Sequence, residues 1–173
     1  MECTKCDLHK TRTKIVLGHG NKYANILFIG EAPGYHEDQQ GKPFVGQAGK
    51  VFNKLLDSIN LERDEIYLTN IVKCRPPKNR NPTDEEISKC SVYLDKELEA
   101  ISPKIIIPMG TFATRYIFNK FGINFESMGK SHGLSILVKN TYICPIYHPA
   151  ALIYNKELIP VTVSDMKKIA NFL

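Results

Sequence analysis

Four of the five cysteines in the chain have a spacing that suits a metal centre. Cys3 and Cys6 form a close pair near the N-terminus, whereas Cys74 and Cys90 have fifteen residues between them. Four thiolates can bind a tetrahedral zinc ion or a [4Fe–4S] cluster. Zinc ribbons usually contain two close cysteine pairs, so the wide second spacing favours the larger cluster. Cys144 lies in an apolar run, and we predict that it is a buried core thiol.

Two disulfides are the alternative explanation of these four cysteines. The chain has no recognisable secretory signal, and its 173 residues are enough to bury a core without covalent cross-links. Disulfides are also rare in cytosolic proteins. We therefore expect a cytoplasmic protein whose thiols are free to bind a metal.

Basic residues are concentrated close to the cysteines. The chain has 23 Lys and Arg against 18 Asp and Glu, a net charge of +5 that suits a polyanionic partner but is also common in soluble enzymes. More informative is the loop after Cys74, which contains Arg75, Lys78 and Arg80. A metal centre would bring this loop and the basic N-terminal segment onto one surface, where these side chains are predicted to contact phosphates.

The hydrophobic pattern predicts an α/β fold, a three-layer α/β/α sandwich with a central, mainly parallel sheet of about four strands. Short aliphatic runs alternate with segments of helical periodicity, as in a sheet that helices cover on both faces. We predict a single domain, residues 1–173, that begins with the metal-ligating segment, and no membrane contact. The predicted strands are 25–29, 66–72, 104–109 and 142–146; the predicted helices are 45–59, a helix capped by Thr83 that carries Cys90, 111–121 and 164–172; residues 122–133 are predicted to be irregular.

The carboxyl ends of the predicted strands carry chemically informative residues, and ligands of open α/β sheets bind at this edge. The first strand leads into Gly-Glu-Ala-Pro-Gly at 30–34, the second into Asn70, and the last into His148. Glycines there permit close backbone approach to a flat ligand. Turns alone would use some of these glycines, and the pattern is not a dinucleotide fingerprint, because the Gly-x-Gly-x-x-Gly spacing is absent.

Together these motifs resemble the iron–sulfur uracil-DNA glycosylases of the thermophile type, usually called family 4. The resemblance covers nearly the whole chain and implies a base excision repair enzyme that hydrolyses the N-glycosidic bond of uracil in single- or double-stranded DNA, leaving an abasic site. It further implies a [4Fe–4S] cluster on Cys3, Cys6, Cys74 and Cys90. The motifs that carry it are Cys3-x-x-Cys6, Gly-Glu-Ala-Pro-Gly at 30–34, Lys-Pro-Phe-Val-Gly at 42–46, Asn-Ile-Val-Lys-Cys-Arg-Pro-Pro at 70–77 with Cys90, and His-Pro-Ala-Ala-Leu at 148–152.

In such an enzyme the uracil must leave the base stack and enter a pocket. Phe44 would stack on the flipped base, and the Asn70 amide would pair with uracil O4 and N3–H. Cytosine presents the opposite polarity, so it would leave buried polar groups unpaired. The backbone of Glu31 and Ala32 would complete the pocket. Without this context, Phe44 would be read as a core residue and Asn70 as a turn residue.

The resemblance also implies how the bond is broken. His148 would donate a hydrogen bond to uracil O2 and stabilise the leaving anion. The best-known enzymes of the superfamily have an aspartate where this chain has Ala32, so another group must activate water. We predict that Glu37, oriented by Asn79, does so, with Glu31 as the alternative carboxylate.

Leu152 is predicted to wedge into the space that the flipped base vacates, with ordinary core packing as the alternative. Two other functions fit parts of the sequence. A noncatalytic Fe–S or zinc module that binds nucleic acid would explain the thiols and the basic loop, but not the combination of Phe44, Asn70 and His148. A glycosylase for another deaminated base, such as hypoxanthine or xanthine, would use the same site. We expect a monomer, with a replication clamp or downstream repair enzymes as candidate partners.

Overall fold

The computed structural model describes residues 2–172. Within them, six strands form one sheet: β1 His19–Gly20, β2 Ile26–Gly30, β3 Ile66–Asn70, β4 Ile105–Pro108, β5 Ile136–Val138 and β6 Thr141–Ile143. Their order across the sheet is β1-β3-β2-β4-β6-β5. The four central strands run parallel to one another, and β1 and β5 pair antiparallel at the two edges.

Helices connect the strands and cover the sheet. The α-helices in the described residues are α1 Tyr35–Gln40, α2 Gln47–Asp57, α3 Asp84–Ile101, α4 Gly110–Lys120, α5 Met128–Ser131, α6 Pro149–Tyr154 and α7 Leu158–Ala170; the 3₁₀ turns are Asp7–Lys10 and Pro77–Asn79. No helix within residues 2–172 has the length and apolar character needed to cross a membrane.

Two hydrophobic cores lie on opposite faces of the sheet because side chains alternate along each strand. Phe28 of β2 packs with Phe52 of α2 and Met166 of α7 on one face. Leu27 of the same strand packs with Leu94 of α3 and Ile117 of α4 on the other. All residues of β2 and β4 are buried, as expected for strands covered on both sides. The predicted three-layer α/β/α architecture is confirmed.

The four predicted strands correspond to β2, β3, β4 and β6, but the sheet has six strands in the described residues. The two additional strands have two and three residues, and their side chains are largely exposed or half-buried. A segment this short has too little alternation to be recognised from its sequence. The prediction of about four strands therefore missed only the edges of the sheet.

The helix predictions were accurate where a cap was recognisable. The Thr83 hydroxyl accepts a hydrogen bond from the Glu86 N–H, and the Glu86 carboxylate accepts one from the Thr83 N–H, so the predicted capping box is confirmed. The last helix begins at Leu158, six residues before the predicted start at 164. It can include Pro160 because this residue lies in its first turn, where proline is tolerated. The region 122–133 also contains the short helix α5, which Ser127 caps.

Candidate functional site

A cavity of about 610 Å³ opens beside the carboxyl ends of β2 and β3. The parallel register of these strands sets Gly30 beside Asn70 at its inner end. A backbone bridge between Met109 and Ile146 brings the loop after β6 to the same edge. All predicted catalytic and uracil-binding residues line this cavity: Glu31, Ala32, Glu37, Phe44, Asn70, Asn79 and His148.

Asn70 presents an unsatisfied acceptor to this cavity. Its side chain is buried, and its Oδ1 has no hydrogen-bond partner in the described residues. Such an atom costs roughly 1–3 kcal/mol when nothing binds it. A Cβ at Gly30 would lie 2.2 Å from this oxygen and 2.7 Å from Phe44 Cζ. Only glycine at position 30 therefore leaves room for the observed side-chain positions of Asn70 and Phe44. The inner end of the cavity is therefore suited to a planar ligand with an N–H donor.

Phe44 forms an aromatic wall of the cavity. Its ring centroid lies 5.7 Å from that of His148, and the two rings are inclined by 34°. Phe44 has φ 53°, in the left-handed region that costs a residue with a Cβ roughly 1–2 kcal/mol. A strained residue at the wall of a cavity indicates that the orientation of this side chain matters for function.

His148 is a neutral hydrogen-bond donor. Burial lowers the pKa of His148 to about 4, against a smaller opposing effect of the Glu37 charge. Its Nδ1 accepts a hydrogen bond from the Ala150 N–H at 3.1 Å, where His148 caps α6. Since Nδ1 is the acceptor, the proton of the neutral ring is on Nε2. The side chain can therefore donate to an oxygen in the cavity without being charged.

Glu37 is oriented by backbone groups, which corrects one prediction. Its Oε1 accepts hydrogen bonds from the N–H groups of Val45 at 2.9 Å and Gly46 at 2.8 Å. Asn79 instead accepts a hydrogen bond from Arg75 Nε at 2.7 Å. The predicted orientation of Glu37 by Asn79 is thus wrong in this structure, although both residues line the cavity. The reason is that the 44–46 loop offers Glu37 two N–H donors close by.

Glu31 is the second carboxylate at the cavity. Burial raises the pKa of Glu31 to about 7, so its side chain is partly protonated near neutral pH. Its backbone carbonyl accepts a hydrogen bond from the Val72 N–H at 3.0 Å, which leaves that oxygen engaged within the protein. Glu31 and Ala32 both line the cavity, and Glu31 is held in place by the segment that follows β3.

Leu152 does not lie where a DNA wedge would need to be. Only 1% of its surface is exposed, and it packs into the core with α2 and α7. The alternative of core packing is the correct one for this residue in the structure. The rim of the cavity instead carries Tyr35, 53% exposed, and Tyr154, 89% exposed. Sequence reasoning missed Tyr154, although an aromatic residue at the start of the polar run that follows Ile153 was a usable signal.

The basic residues of the 75–80 loop are not equivalent. Arg75 lies over the Tyr35 ring, 5.1 Å from its centroid. Arg80 forms two hydrogen bonds with the Glu86 carboxylate, at 2.7 and 2.9 Å. Lys78 is exposed at the tip of the loop. The positive charges of Lys78 and Arg75 are therefore more available to a polyanion than that of Arg80, which is paired with Glu86.

The four predicted metal ligands share a second pocket. They are Cys3, Cys6, Cys74 and Cys90. Arg12 Nη1 donates to the Cys74 sulfur at 3.3 Å and to the Cys3 carbonyl at 2.8 Å. The Lys73 N–H donates to the Cys90 sulfur at 3.2 Å. Cys144 is fully buried in the core instead, as predicted.

Lys73 belongs to the basic run beside the thiols, but its side chain is buried and connects the two sites. Lys73, 2% exposed, donates from Nζ to Glu97 at 2.6 Å, to Thr69 at 2.6 Å and to the Asn70 carbonyl at 2.7 Å. Burial lowers the pKa of Lys73, and the Glu97 charge opposes this. Lysine is rarely buried, so the local sequence does not predict a buried side chain at position 73. The contact fixes the backbone of Asn70 beside the cysteine-bearing loop.

Comparisons with known proteins agree with this geometry. Residues 17–172 match the model of the uracil DNA glycosylase superfamily. The chain is 49% identical to a type-4 uracil-DNA glycosylase of Archaeoglobus fulgidus, over 98% of this chain and 87% of that protein. It is 47% identical to a type-4 uracil-DNA glycosylase of Sulfurisphaera tokodaii, over 98% of this chain and 79% of that protein.

A type-5 uracil-DNA glycosylase of Pyrobaculum aerophilum is more distant, at 31% identity over 82% of this chain and 68% of that protein. The two type-4 relatives align with nearly all of the chain, whereas the family model begins at residue 17, after the Cys3 and Cys6 pair. The chain therefore belongs to the uracil-DNA glycosylase superfamily and, within it, to the type-4 uracil-DNA glycosylases.

Proposed function

We propose that this protein flips uracil out of DNA into the cavity beside β2 and β3 and hydrolyses its N-glycosidic bond, leaving an abasic site. The carrying observation is the buried Asn70 Oδ1 that has no partner in the described residues. Uracil N3–H supplies the donor that this oxygen lacks, and the Asn70 NH₂ can donate to uracil O4. Cytosine has an acceptor at N3 and a donor amino group on C4. Its N3 would face the Asn70 oxygen and its amino group would face the Asn70 NH₂, so neither hydrogen bond could form.

Bond cleavage in this proposal depends on stabilising the leaving base. The N1–C1′ bond breaks with its electron pair on uracil, and negative charge develops at N1 and O2. The neutral His148 donates from Nε2 to O2, where that charge is greatest. Phe44 stacks on the base and keeps it in the plane in which Asn70 and His148 can both reach it.

Water completes the reaction at the sugar. Its oxygen attacks C1′ as positive charge develops there, and a carboxylate accepts its proton. Glu37 is our candidate because two N–H groups hold its Oε1, while its Oε2 lies beside Gly34, which lines the cavity. A Cβ at Gly34 would lie 2.8 Å from Oε2, so glycine leaves this oxygen room. Glu31, with its pKa raised to about 7 by burial, is the second candidate base.

Release of free base from oligonucleotides tests this function. Each substrate contains one uracil, cytosine, thymine, hypoxanthine or xanthine at the same position, in single- or double-stranded form, and release is measured with enzyme in excess. We expect rapid release of uracil only. Faster release of hypoxanthine or xanthine would assign the site to another deaminated base. Binding to DNA without release of any base would instead support the noncatalytic module.

We further propose that Cys3, Cys6, Cys74 and Cys90 hold a [4Fe–4S] cluster. The donor set fits, because four thiols line one pocket and N–H donors from Arg12 and Lys73 reach two of the sulfurs. Within residues 2–172 no three metal-binding side chains stand close enough to hold a metal ion, so the proposal rests on the pocket that the four thiols share and on their spacing in the sequence. When bound, the cluster would cross-link the N-terminal segment to the basic loop and need not exchange electrons.

Replacing Cys74 with alanine should remove the brown colour and lower the melting temperature together. Loss of a structural metal site typically costs several kcal/mol because the site holds distant segments in place. Visible absorbance, iron content and thermal unfolding are measured on the purified variant. Cys144→Ala is the matched control, a buried cysteine outside the pocket, and should keep both colour and iron. A colourless Cys74→Ala protein with unchanged stability would refute the structural role.

The basic loop should contact DNA phosphates, with Lys78 and Arg75 contributing more than Arg80. Lys78→Gln is expected to reduce the slope of log binding constant against log salt by about 1. Arg80→Gln is the matched control and should change the slope less, since Glu86 already neutralises that guanidinium. Binding to an uncleavable oligonucleotide is measured by fluorescence anisotropy across salt concentrations. Equal slopes for wild type and Lys78→Gln would exclude Lys78 as a phosphate contact.

The remaining proposals follow from the same function. We propose that residues 1–173 form one domain that acts as a monomer in the cytoplasm, where reducing conditions keep the thiols available to iron. A replication clamp or a downstream repair enzyme is a candidate partner. Light scattering of the purified protein, alone and with uracil-containing DNA, would test the monomer.

A further inference from the structure

Phe44 is held by a residue that has no part in the proposed chemistry. Arg63 donates a hydrogen bond from Nη2 to the Phe44 carbonyl at 2.6 Å. On the other side of the same loop, Glu37 accepts hydrogen bonds from the next two N–H groups. The peptide units of residues 44–46 therefore lie between a guanidinium and a carboxylate. The base-stacking ring is attached to this fixed backbone.

Arg63 is itself fixed. Its Nε donates to Asn53 Oδ1 on α2 at 2.7 Å, and its guanidinium lies over the Phe52 ring, 5.5 Å from the centroid. The Phe52 ring in turn packs against the Phe44 ring, with centroids 5.4 Å apart. Arg63 thus contacts the backbone of Phe44 directly and its ring through Phe52. A planar guanidinium with several oriented donors suits such a position better than a flexible ammonium.

The backbone of Phe44 needs this support. Its φ of 53° is unfavourable for a residue with a Cβ. Its carbonyl also approaches α2 closely: a Cβ at Gly49 would lie 2.0 Å from the Phe44 oxygen. The hydrogen bond from Arg63 to this carbonyl stabilises the observed conformation against a relaxed one. Relaxation would rotate the peptide and move the ring relative to His148, whose ring is 5.7 Å away.

We propose that Arg63 is a positioning residue for uracil excision: it holds Phe44 in its left-handed conformation, so that the ring meets the flipped base in the plane that His148 requires. The inference rests on the proposed function and extends it to a residue outside the cavity. Arg63 does not line that cavity and touches no reacting atom. Its loss should lower the rate of the chemical step and leave the DNA concentration for half-maximal rate unchanged.

A double-mutant cycle tests this inference. Wild type, Arg63→Gln, Phe44→Ala and the double variant are compared by single-turnover release of uracil, and their melting temperatures are measured in parallel. We expect Arg63→Gln to lower the maximal rate by roughly tenfold to a hundredfold, and to have little further effect once Phe44 is alanine. A merely structural arginine would lower stability without this coupling. A multiplicative rate loss in the double variant, or a wild-type rate for Arg63→Gln, would overturn the proposal.

Three further variants make the result specific. Arg63→Lys keeps the charge and a donor, and should recover part of the rate. Asn53→Ala keeps the Arg63 guanidinium but removes the acceptor that orients it. This variant should lower the rate less than Arg63→Gln does. It replaces Arg63→Gln in the test if that variant does not fold. Arg115→Gln removes a distant surface arginine, paired with Asp84, and should leave the rate unchanged. If wild type releases no uracil, the proposed function fails and this inference falls with it.

Discussion

Replacing His148 with alanine should lower the single-turnover rate of uracil release by about 10²–10³-fold, the usual effect of losing one donor to a developing anion. The structure gives the reason. The ring is neutral because burial lowers the pKa of His148 to about 4, and the Ala150 N–H fixes the proton on Nε2. The variant should still bind uracil-containing DNA, because the basic loop is unchanged.

His19→Ala is the matched control for this variant. His19 is exposed on the edge strand β1, so its loss should not change the rate. Equal rates for wild type and His148→Ala at saturating DNA would exclude His148 as the group that stabilises the leaving base.

The pH dependence of His148 follows from the sign of its pKa shift. In the unfolded chain His148 has its ordinary pKa of 6.5, whereas in the folded protein burial lowers the pKa of His148 to about 4. His148 therefore reduces stability as the pH falls from 6.5 to about 4, and has no such effect above that range. The rate should show no transition from His148 above about pH 5, and the acid-induced loss of stability should be smaller in His148→Ala.

Replacing Asn70 with aspartate should change which base the cavity accepts. The change keeps an oxygen acceptor but removes the NH₂ that donates to uracil O4. A site built for hydrogen bonding rejects a mismatched partner by several orders of magnitude. We expect uracil release to fall by at least about 10²-fold, and slow release of cytosine to appear when the carboxyl group is protonated.

Asn79→Asp is the matched control for this variant. Asn79 lines the same cavity, but its Oδ1 accepts a hydrogen bond from Arg75. It should not gain activity on cytosine. Release of both bases is followed by chromatography from oligonucleotides that differ only at the target position. If Asn70→Asp kept the wild-type rate on uracil, Asn70 would not read the base.

The sequence predicted the central sheet and the cavity residues well. The buried strands are nearly continuous aliphatic runs; Asn70 ends one of them and His148 follows another, at the edge where ligands bind. The edge strand β1, by contrast, has two residues and no pattern to detect. Parallel strands bring their ends together, so the cavity was predictable while the edges of the sheet were not.

The residues that hold the site were harder to predict. Arg63 lies in the polar run Glu-Arg-Asp-Glu at 62–65, which resembles an exposed turn, yet it binds the Phe44 carbonyl. Lys73 is buried because Glu97, distant in sequence, pairs with it. Leu152 follows His148 at the spacing expected of a wedge, but α6 turns it into the core. Each of these outcomes depends on tertiary contacts that a local pattern does not contain.

A crystal structure of the His148→Ala variant with an oligonucleotide that contains one uracil would show most directly whether the cavity binds the flipped base. Loss of the catalytic donor should leave the substrate intact long enough to be observed. We expect a flipped uracil stacked on Phe44, with N3 within hydrogen-bond distance of Asn70 Oδ1. A uracil that binds elsewhere on the protein, or that enters the cavity without contacting Asn70, would contradict the proposed recognition of the base.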